Sequence, residues 1–220
     1  IKHRYSQWGS LLFDLGKDPV RSFLISAMNY FASYFHFDGL RIDAVSNVIF
    51  YDGNKDKGEN AGGIEFLKRM NTLLHGEHSS LMTIAEDSSD YQGVTKPLEF
   101  GGLGFDYKWD LGWMNDTLQF MSLDSVHRKF HHDKLTFRSM YSFSENFIMP
   151  LSHDEVVHGK YSLLSKMPGD AWQKFANLRL LFGYQYSSPG KKLMFMGGEI
   201  GQWIEWNEER SLDWHLLEHS

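Results

Sequence analysis

The sequence predicts an α/β fold in which parallel strands are joined by crossover helices. Three observations carry that expectation. Apolar segments of strand length alternate with amphipathic segments of helical period, in the order strand, helix, strand, helix. The strand segments are almost wholly apolar, as in sheets covered on both faces. A chain of 220 residues can bury one sizeable core, and neither an internal repeat nor a low-complexity linker divides it, so one domain is expected.

Residues 1–17 read as loop, with a short apolar piece at Leu11–Phe13 ending in Asp14. Asp18-Pro19 opens a helix, with Asp as N-cap and Pro at the first helical position. Val20, Phe23, Leu24, Ala27, Met28, Phe31, Ala32 and Phe35 then keep the helical period, and their face is expected to be buried. Phe37 to Val45 forms the first strand. The polar, glycine-rich stretch 51–63 is a loop, and Ile64, Leu67, Met70 and Leu74 start a second helix that closes near Gly76. Leu81–Ala85 is a strand ending in Glu86-Asp87. A loop at 88–104 leads to a strand at Phe105–Trp109 and helical material from Gly112 to Leu123. Residues 126–145 hold a short helix. Phe147–Leu151 is an apolar strand ending in Ser152-His153-Asp154-Glu155. Asp170 caps a helix to Tyr186, Ser188-Pro189-Gly190 turns, and Leu193–Met196 is the last strand. The aromatic remainder is loop.

Composition narrows the function. The net charge is −6 without a basic cluster, which argues against nucleic acid and anionic membrane surfaces. No apolar run is long enough to span a membrane. There is no cysteine, hence neither a disulfide framework nor a thiolate metal site, which fits a reducing compartment. Aromatic residues make up 15% of the chain, with 7 Trp and 10 Tyr, and serve either core packing or flat platforms for a ligand such as a sugar. Ile1 stands where an initiator Met would, so a fragment or processed product is expected.

Chemistry concentrates at strand ends. In Asp38-Gly39-Leu40-Arg41-Ile42-Asp43, residues two apart share a face, so Arg41 and Asp43 point the same way. A guanidinium favours the ionised form of a neighbouring carboxylate, which suits a nucleophile or electrostatic stabiliser. The plainer alternative is a strand end whose Asp caps the next helix. The pattern recurs, however: three apolar strands end in Asp43, Glu86 and Asp154, with Arg41 and His153 beside them. Strand ends of a parallel α/β fold gather on the face where active sites sit. Carboxyls in different environments divide into an ionised and a protonated member. That is the equipment for glycosidic bond chemistry through a covalent glycosyl intermediate, which needs two carboxyls about 5–5.5 Å apart.

Other chemistries fit less well. His153-Asp154-Glu155-Val156-Val157-His158 is superficially like a zinc helix motif, but its histidines are five apart rather than four and fall on different helix faces. No Gly-x-Ser-x-Gly elbow supports a serine triad. Gly101-Gly102-Leu103-Gly104 lacks the dinucleotide fingerprint and the directly preceding strand that a phosphate cradle needs. His131-His132 reads as an exposed or packing feature.

Gly39-Leu40-Arg41-Ile42-Asp43, Ala85-Glu86-Asp87 and Ser152-His153-Asp154-Glu155 resemble, in order, three signature segments of the α-amylase superfamily, glycoside hydrolase family 13. Gly101–Phe105 with Lys108-Trp109, His131-His132-Asp133, Leu151–Lys160, Met167–Asn177 and Ser211–His215 are similar to the bacterial glycogen branching enzymes of that superfamily. The resemblance covers essentially the whole chain. It implies a (β/α)8 TIM barrel, of which residues 1–220 are an incomplete internal part with roughly five of eight strands. It implies Asp43 as nucleophile, Glu86 as general acid/base and Asp154 as the transition-state-stabilising carboxylate, with Arg41 and His153 binding substrate. The implied activity cuts an α-1,4-glucan such as amylose or glycogen and forms an α-1,6 branch, without metal or organic cofactor, in the cytoplasm. The family's first signature segment, its carbohydrate-binding module and its C-terminal β-sandwich have no counterpart here. Five strands leave an open edge and cannot close a barrel of eight, so the 220 residues alone are expected to be inactive. Two rival functions remain: a hydrolase or debranching enzyme of the same superfamily, and a non-catalytic glucan-binding protein.

Overall fold

A computed structural model describes residues 5–218. The first four residues of the stretch 1–17, Ile1 among them, lie outside the described residues. The chain is an α/β protein whose strands pair in parallel. Its residues form two compact units: Ile1–Trp109 with Ser144–Asn146, and Asp110–Phe143 with Phe147–Ser220.

In the first unit, α1 (Asp18–Phe35) precedes β1 (Gly39–Ile42), followed by the short α2 (Val45–Ile49), α3 (Ala61–Glu77), β2 (Met82–Ala85) and β3 (Tyr107–Trp109). The N-cap of α1 is Lys17, not Asp18; Asp18 lies in the first turn and pairs instead with Arg21 at 2.6 Å and Arg69 at 2.9 Å. The apolar stripe of α1 is only partly covered. Ile25 and Ala32 are buried and Leu24 and Met28 pack against the core, whereas Phe23, Phe31 and Phe35 are exposed. Phe31 and Phe35 instead join a surface ring cluster with Tyr30, Tyr34 and Phe37. The stretch 51–63 is not all loop. It contains two short 3-10 turns, and α3 begins at Ala61, where the Asn60 side chain accepts the Gly63 N–H. Gly63 is needed there because a Cβ would overlap the Val48 carbonyl oxygen. The core of this unit runs through Ile49, Phe66, Leu67, Met70, Leu74, Leu103 and Phe105.

In the second unit, Asp110 caps α4 (Leu111–Ser122) by accepting the Trp113 N–H at 2.9 Å. Two four-residue helices follow, α5 (Ser125–Arg128) and α6 (Asp133–Thr136), and then the fully buried strand β4 (Phe147–Leu151). A short α7 (Leu163–Lys166) precedes α8 (Ala171–Ser187), which opens with a reciprocal Asp170–Gln173 capping box. The strand β5 (Lys191–Met194) pairs parallel with β4, Ile148 opposite Lys191 and Leu151 opposite Met194, two residues earlier than the apolar run 193–196 implies. Trp113, Met149, Leu151, Leu164, Met167 and Leu181 form this core.

Candidate active site

The register of β1 and β2 sets the geometry of the first unit. The two strands run parallel with Arg41 opposite Ile84 and Ile42 opposite Ala85, so Asp43 and Glu86 are the first residues beyond the last paired positions. β3 continues the ladder, Ile84 opposite Tyr107 and Ala85 opposite Lys108. Alternation then sorts the side chains. Arg41, Asp43, Glu86 and Trp109 fall on one face; Ala85, Asp87 and Lys108 fall on the other.

The strand end is sharply turned. Ala44 takes a left-handed conformation with φ 46°, at a cost of about 1–2 kcal/mol for a residue with a Cβ. Such strain is characteristically found at functional sites. The turn brings the Val45 N–H to the Glu86 carbonyl at 2.8 Å, while the Glu86 N–H donates to the Ile42 carbonyl at 2.9 Å. The backbone of Glu86 is therefore held on both sides by the segment that carries Asp43.

On the first face, the Arg41 guanidinium donates to Asp43 Oδ1 at 2.8 Å and also to Glu86 Oε2. The same guanidinium lies over the Trp109 ring, 4.8 Å from its centroid, a stacking that favours the cation and fixes its plane. The two carboxyls share one cation but differ in exposure: the Asp43 side chain is 74% accessible and that of Glu86 is 17%. One is open to an incoming ligand and the other is largely enclosed. That asymmetry lets a pair of carboxyls divide nucleophile and proton-transfer work.

On the second face, Lys108 Nζ donates to Asp87 Oδ2 at 2.8 Å and to the Ser89 carbonyl at 3.0 Å. Asp87 also accepts the Ser89 N–H and hydroxyl. Both charged side chains are buried. Farther along the same loop, the Glu145 carboxylate accepts the N–H groups of Gly93, Val94 and Thr95 at 2.7–3.0 Å. The glycines at 101–104 serve the loop itself: Gly101 and Gly104 have φ of 86° and 78°, and a Cβ on Gly102 would overlap the Lys96 carbonyl oxygen.

The second unit places His153 and Asp154 together just past β4, with His153 Nε2 3.3 Å from Asp154 Oδ1 and both half exposed. Ser152 caps a 3-10 turn over His153–Glu155 by accepting the Asp154 N–H. Glu155 folds inward to accept the Ser152 N–H and hydroxyl, so it is Asp154 that remains available. The His153 ring packs on Phe195 at 5.9 Å. His158 has φ 57°, so 153–158 is not the helix that a zinc motif requires. Among the described residues no group of three or more His, Cys, Asp or Glu side chains is arranged to hold a metal ion. The His132 ring packs near Phe120, 6.3 Å between centroids. Among the described residues no helix is long and apolar enough to cross a membrane.

No family model matches the chain. Individual proteins do. A protein of Nitrosomonas europaea named 1,4-alpha-glucan branching enzyme GlgB is 51% identical over 224 residues, covering 97% of this chain and 30% of its own. Proteins of the same name from Nitrosococcus oceani and Oceanobacillus iheyensis are 52% and 53% identical over 99% of this chain, covering 30% and 36% of their own. Over nearly all of its length this chain is similar to one segment of these proteins. It spans about a third of the length of the curated relatives it matches.

Within this chain, the strand-end rule singles out Arg41, Asp43, Glu86, His153 and Asp154 as candidates. The structure joins the first three in one unit and the last two in the other. Sequence reasoning does not locate the support: Trp109 beneath Arg41, and Lys108 against Asp87. A lysine in an apolar strand is the signal that was available, since an ammonium is rarely fully buried unless paired.

Proposed function

We propose that the complete protein carrying this chain is a 1,4-α-glucan branching enzyme of the α-amylase type, acting in the cytoplasm in glycogen synthesis. These residues would form the middle of its (β/α)8 barrel, with the flanking modules supplied by the rest of the protein. The observation that carries the proposal is the Asp43–Arg41–Glu86 arrangement at two neighbouring parallel strand ends.

In this account an Asp43 carboxylate oxygen attacks C1 of an α-1,4-linked glucose. Glu86, as the acid, protonates the departing O4, and the non-reducing part of the chain is left as an ester on Asp43. Glu86, now a carboxylate, takes the proton of an acceptor 6-hydroxyl; O6 attacks C1 and frees Asp43. Two inversions leave an α-1,6 linkage with retained configuration. Asp154 stabilises the oxocarbenium-like transition states, and Arg41 and His153 bind the sugar. Arg41 also fixes both carboxyls, so the geometry is set before substrate arrives. The asymmetric exposure of Asp43 and Glu86 fits the two roles, and the branching relatives fit the acceptor.

Proton NMR on amylose incubated with the complete protein tests this. Growth of α-1,6 signals with a nearly constant number of reducing ends, absent in Glu86→Gln, is the expected result. Growth of reducing ends alone would assign a hydrolase at the same site. Binding without bond cleavage would leave a glucan-binding protein.

A further inference from the structure

Lys108 and Asp87 lie on the opposite face of the sheet from the carboxyl pair, and no role in the chemistry above uses them. Their burial needs a reason. Taking an ammonium and a carboxylate out of water is costly, and a well-packed apolar pair often supports a sheet equally well. Here both groups are densely satisfied. Asp87 accepts from Lys108 Nζ, the Ser89 N–H and the Ser89 hydroxyl; Lys108 donates to Asp87 and to the Ser89 carbonyl.

This network meets Glu86 from one side. Ala85 is fixed in the ladder opposite Ile42 and Lys108. Glu86 itself is held through both of its backbone polar groups by Ile42 and Val45. Asp87 is locked by its side chain. The Glu86 side chain leaves the backbone away from Asp87, so it aims where the 85–87 backbone aims it. We propose that Lys108 and Asp87 are positioning residues that set the direction of Glu86. This rests on the assignment of Glu86 as the proton-transfer group. Lys108 does this from the residue next to Trp109, which supports Arg41 from the other face. The end of β3 thus braces Glu86 by way of Asp87 and Arg41 by way of Trp109.

The test uses the complete protein with amylose, counting every α-1,4 bond cleaved as new α-1,6 linkages plus new reducing ends. Asp87→Asn, Lys108→Met and the apolar pair Asp87→Leu with Lys108→Met are compared by kcat, KM, pH–rate profile and thermal unfolding. An ångström of misaim costs on the order of 10²-fold in rate. The proposal therefore expects kcat to fall about that much in all three, with KM nearly unchanged. The limb of the wild-type pH–rate profile that reports the proton-transfer group should move in Asp87→Asn. The apolar pair is expected to restore the unfolding temperature without restoring kcat. Recovery of both stability and kcat in the apolar pair would overturn the proposal, as would a loss that appears only in KM. Because cleavage is counted whichever product forms, a hydrolytic product pattern would defeat the branching assignment while leaving the positioning result legible.

Discussion

Glu86 accepts a charge-assisted hydrogen bond from Arg41 across the β1–β2 ladder. The same guanidinium reaches Asp43 Oδ1 at 2.8 Å. A lysine ammonium is a point charge on a flexible stem; it can neither fork between the carboxyls nor stack on Trp109 in the same way. Arg41→Lys is therefore expected to lower the rate of glycosidic bond cleavage by roughly 10²-fold. Because the Arg41 side chain is 30% accessible, the unfolding temperature should move little. Steady-state kinetics beside calorimetry checks this, and an unchanged kcat would contradict it.

A different pair carries stability in the second unit. Arg138 Nε donates to Asp110 Oδ2 at 2.7 Å with both side chains almost wholly buried. Asp110 also caps α4 and accepts the Tyr141 hydroxyl at 3.1 Å. Burial pushes the Tyr141 hydroxyl well above its usual range, and Asp110 adds to the effect, so the phenol stays a donor. Asp110→Ala strands a buried guanidinium and is expected to cost about 3–5 kcal/mol. Urea unfolding measures it; a loss below about 1 kcal/mol would show the charge to be solvated by rearrangement.

Glu145 holds the loop that follows the β2 strand end. Its carboxylate takes three consecutive N–H groups, from Gly93 to Thr95. Glu145→Ala removes both carboxylate oxygens and with them all three bonds, so amide exchange at 93–95 should quicken by at least about tenfold, the equivalent of roughly 1.4 kcal/mol of lost protection. Glu145→Gln keeps one carbonyl oxygen and should fall between. Equal protection in all three proteins would mean that the loop is held by its glycine turns instead.

The loop after Asp154 has a pH dependence of known sign. The Tyr161 and Gly159 N–H groups donate to Glu205 and hold its carboxyl below the usual carboxylate range. A lowered folded value means the bonded form is favoured above the ordinary carboxylate value. Its contribution is lost as pH falls through the lower, folded value. The loop contains two left-handed non-glycine residues, His158 and Tyr161, so releasing the carboxylate should let it relax. Amide exchange at Gly159 and Tyr161, corrected for the intrinsic rate, is expected to rise as pH drops through the acid range and to be raised already at neutral pH in Glu205→Gln. A flat profile would contradict the clamp.

Much of this architecture is legible in residue patterns, and the exceptions have physical causes. The helices α1 and α3 carry a period and α8 is announced by its Asp170 cap, so local chemistry suffices. Strand β4 is an uninterrupted apolar run. The boundaries of β1 and β5 are not local properties. β1 stops at Ile42 because Ala44 turns left-handed, which no propensity marks, and β5 starts at Lys191 because its register against Ile148 puts it there. The short α2 and α7 span too few residues to show a period. At the site, Asp43 and Glu86 stand out because strand ends do. Lys108 does not, because a lysine reads as solvent-facing until the pairing of Ala85 with Lys108 sets it against Asp87.

In the proposed mechanism Asp43 forms the bond to sugar while Glu86 moves the proton. Mass spectrometry of the complete Glu86→Gln protein, after reaction with a fluorinated maltosyl fluoride, tests it most directly. The good leaving group spares the first step its acid, and the variant lacks the base for the second, so the adduct should accumulate. A glycosyl ester is expected on the peptide containing Asp43 and none on that containing Asp154. An adduct on Asp154, or turnover without any adduct in a protein that still binds glucan, would contradict it.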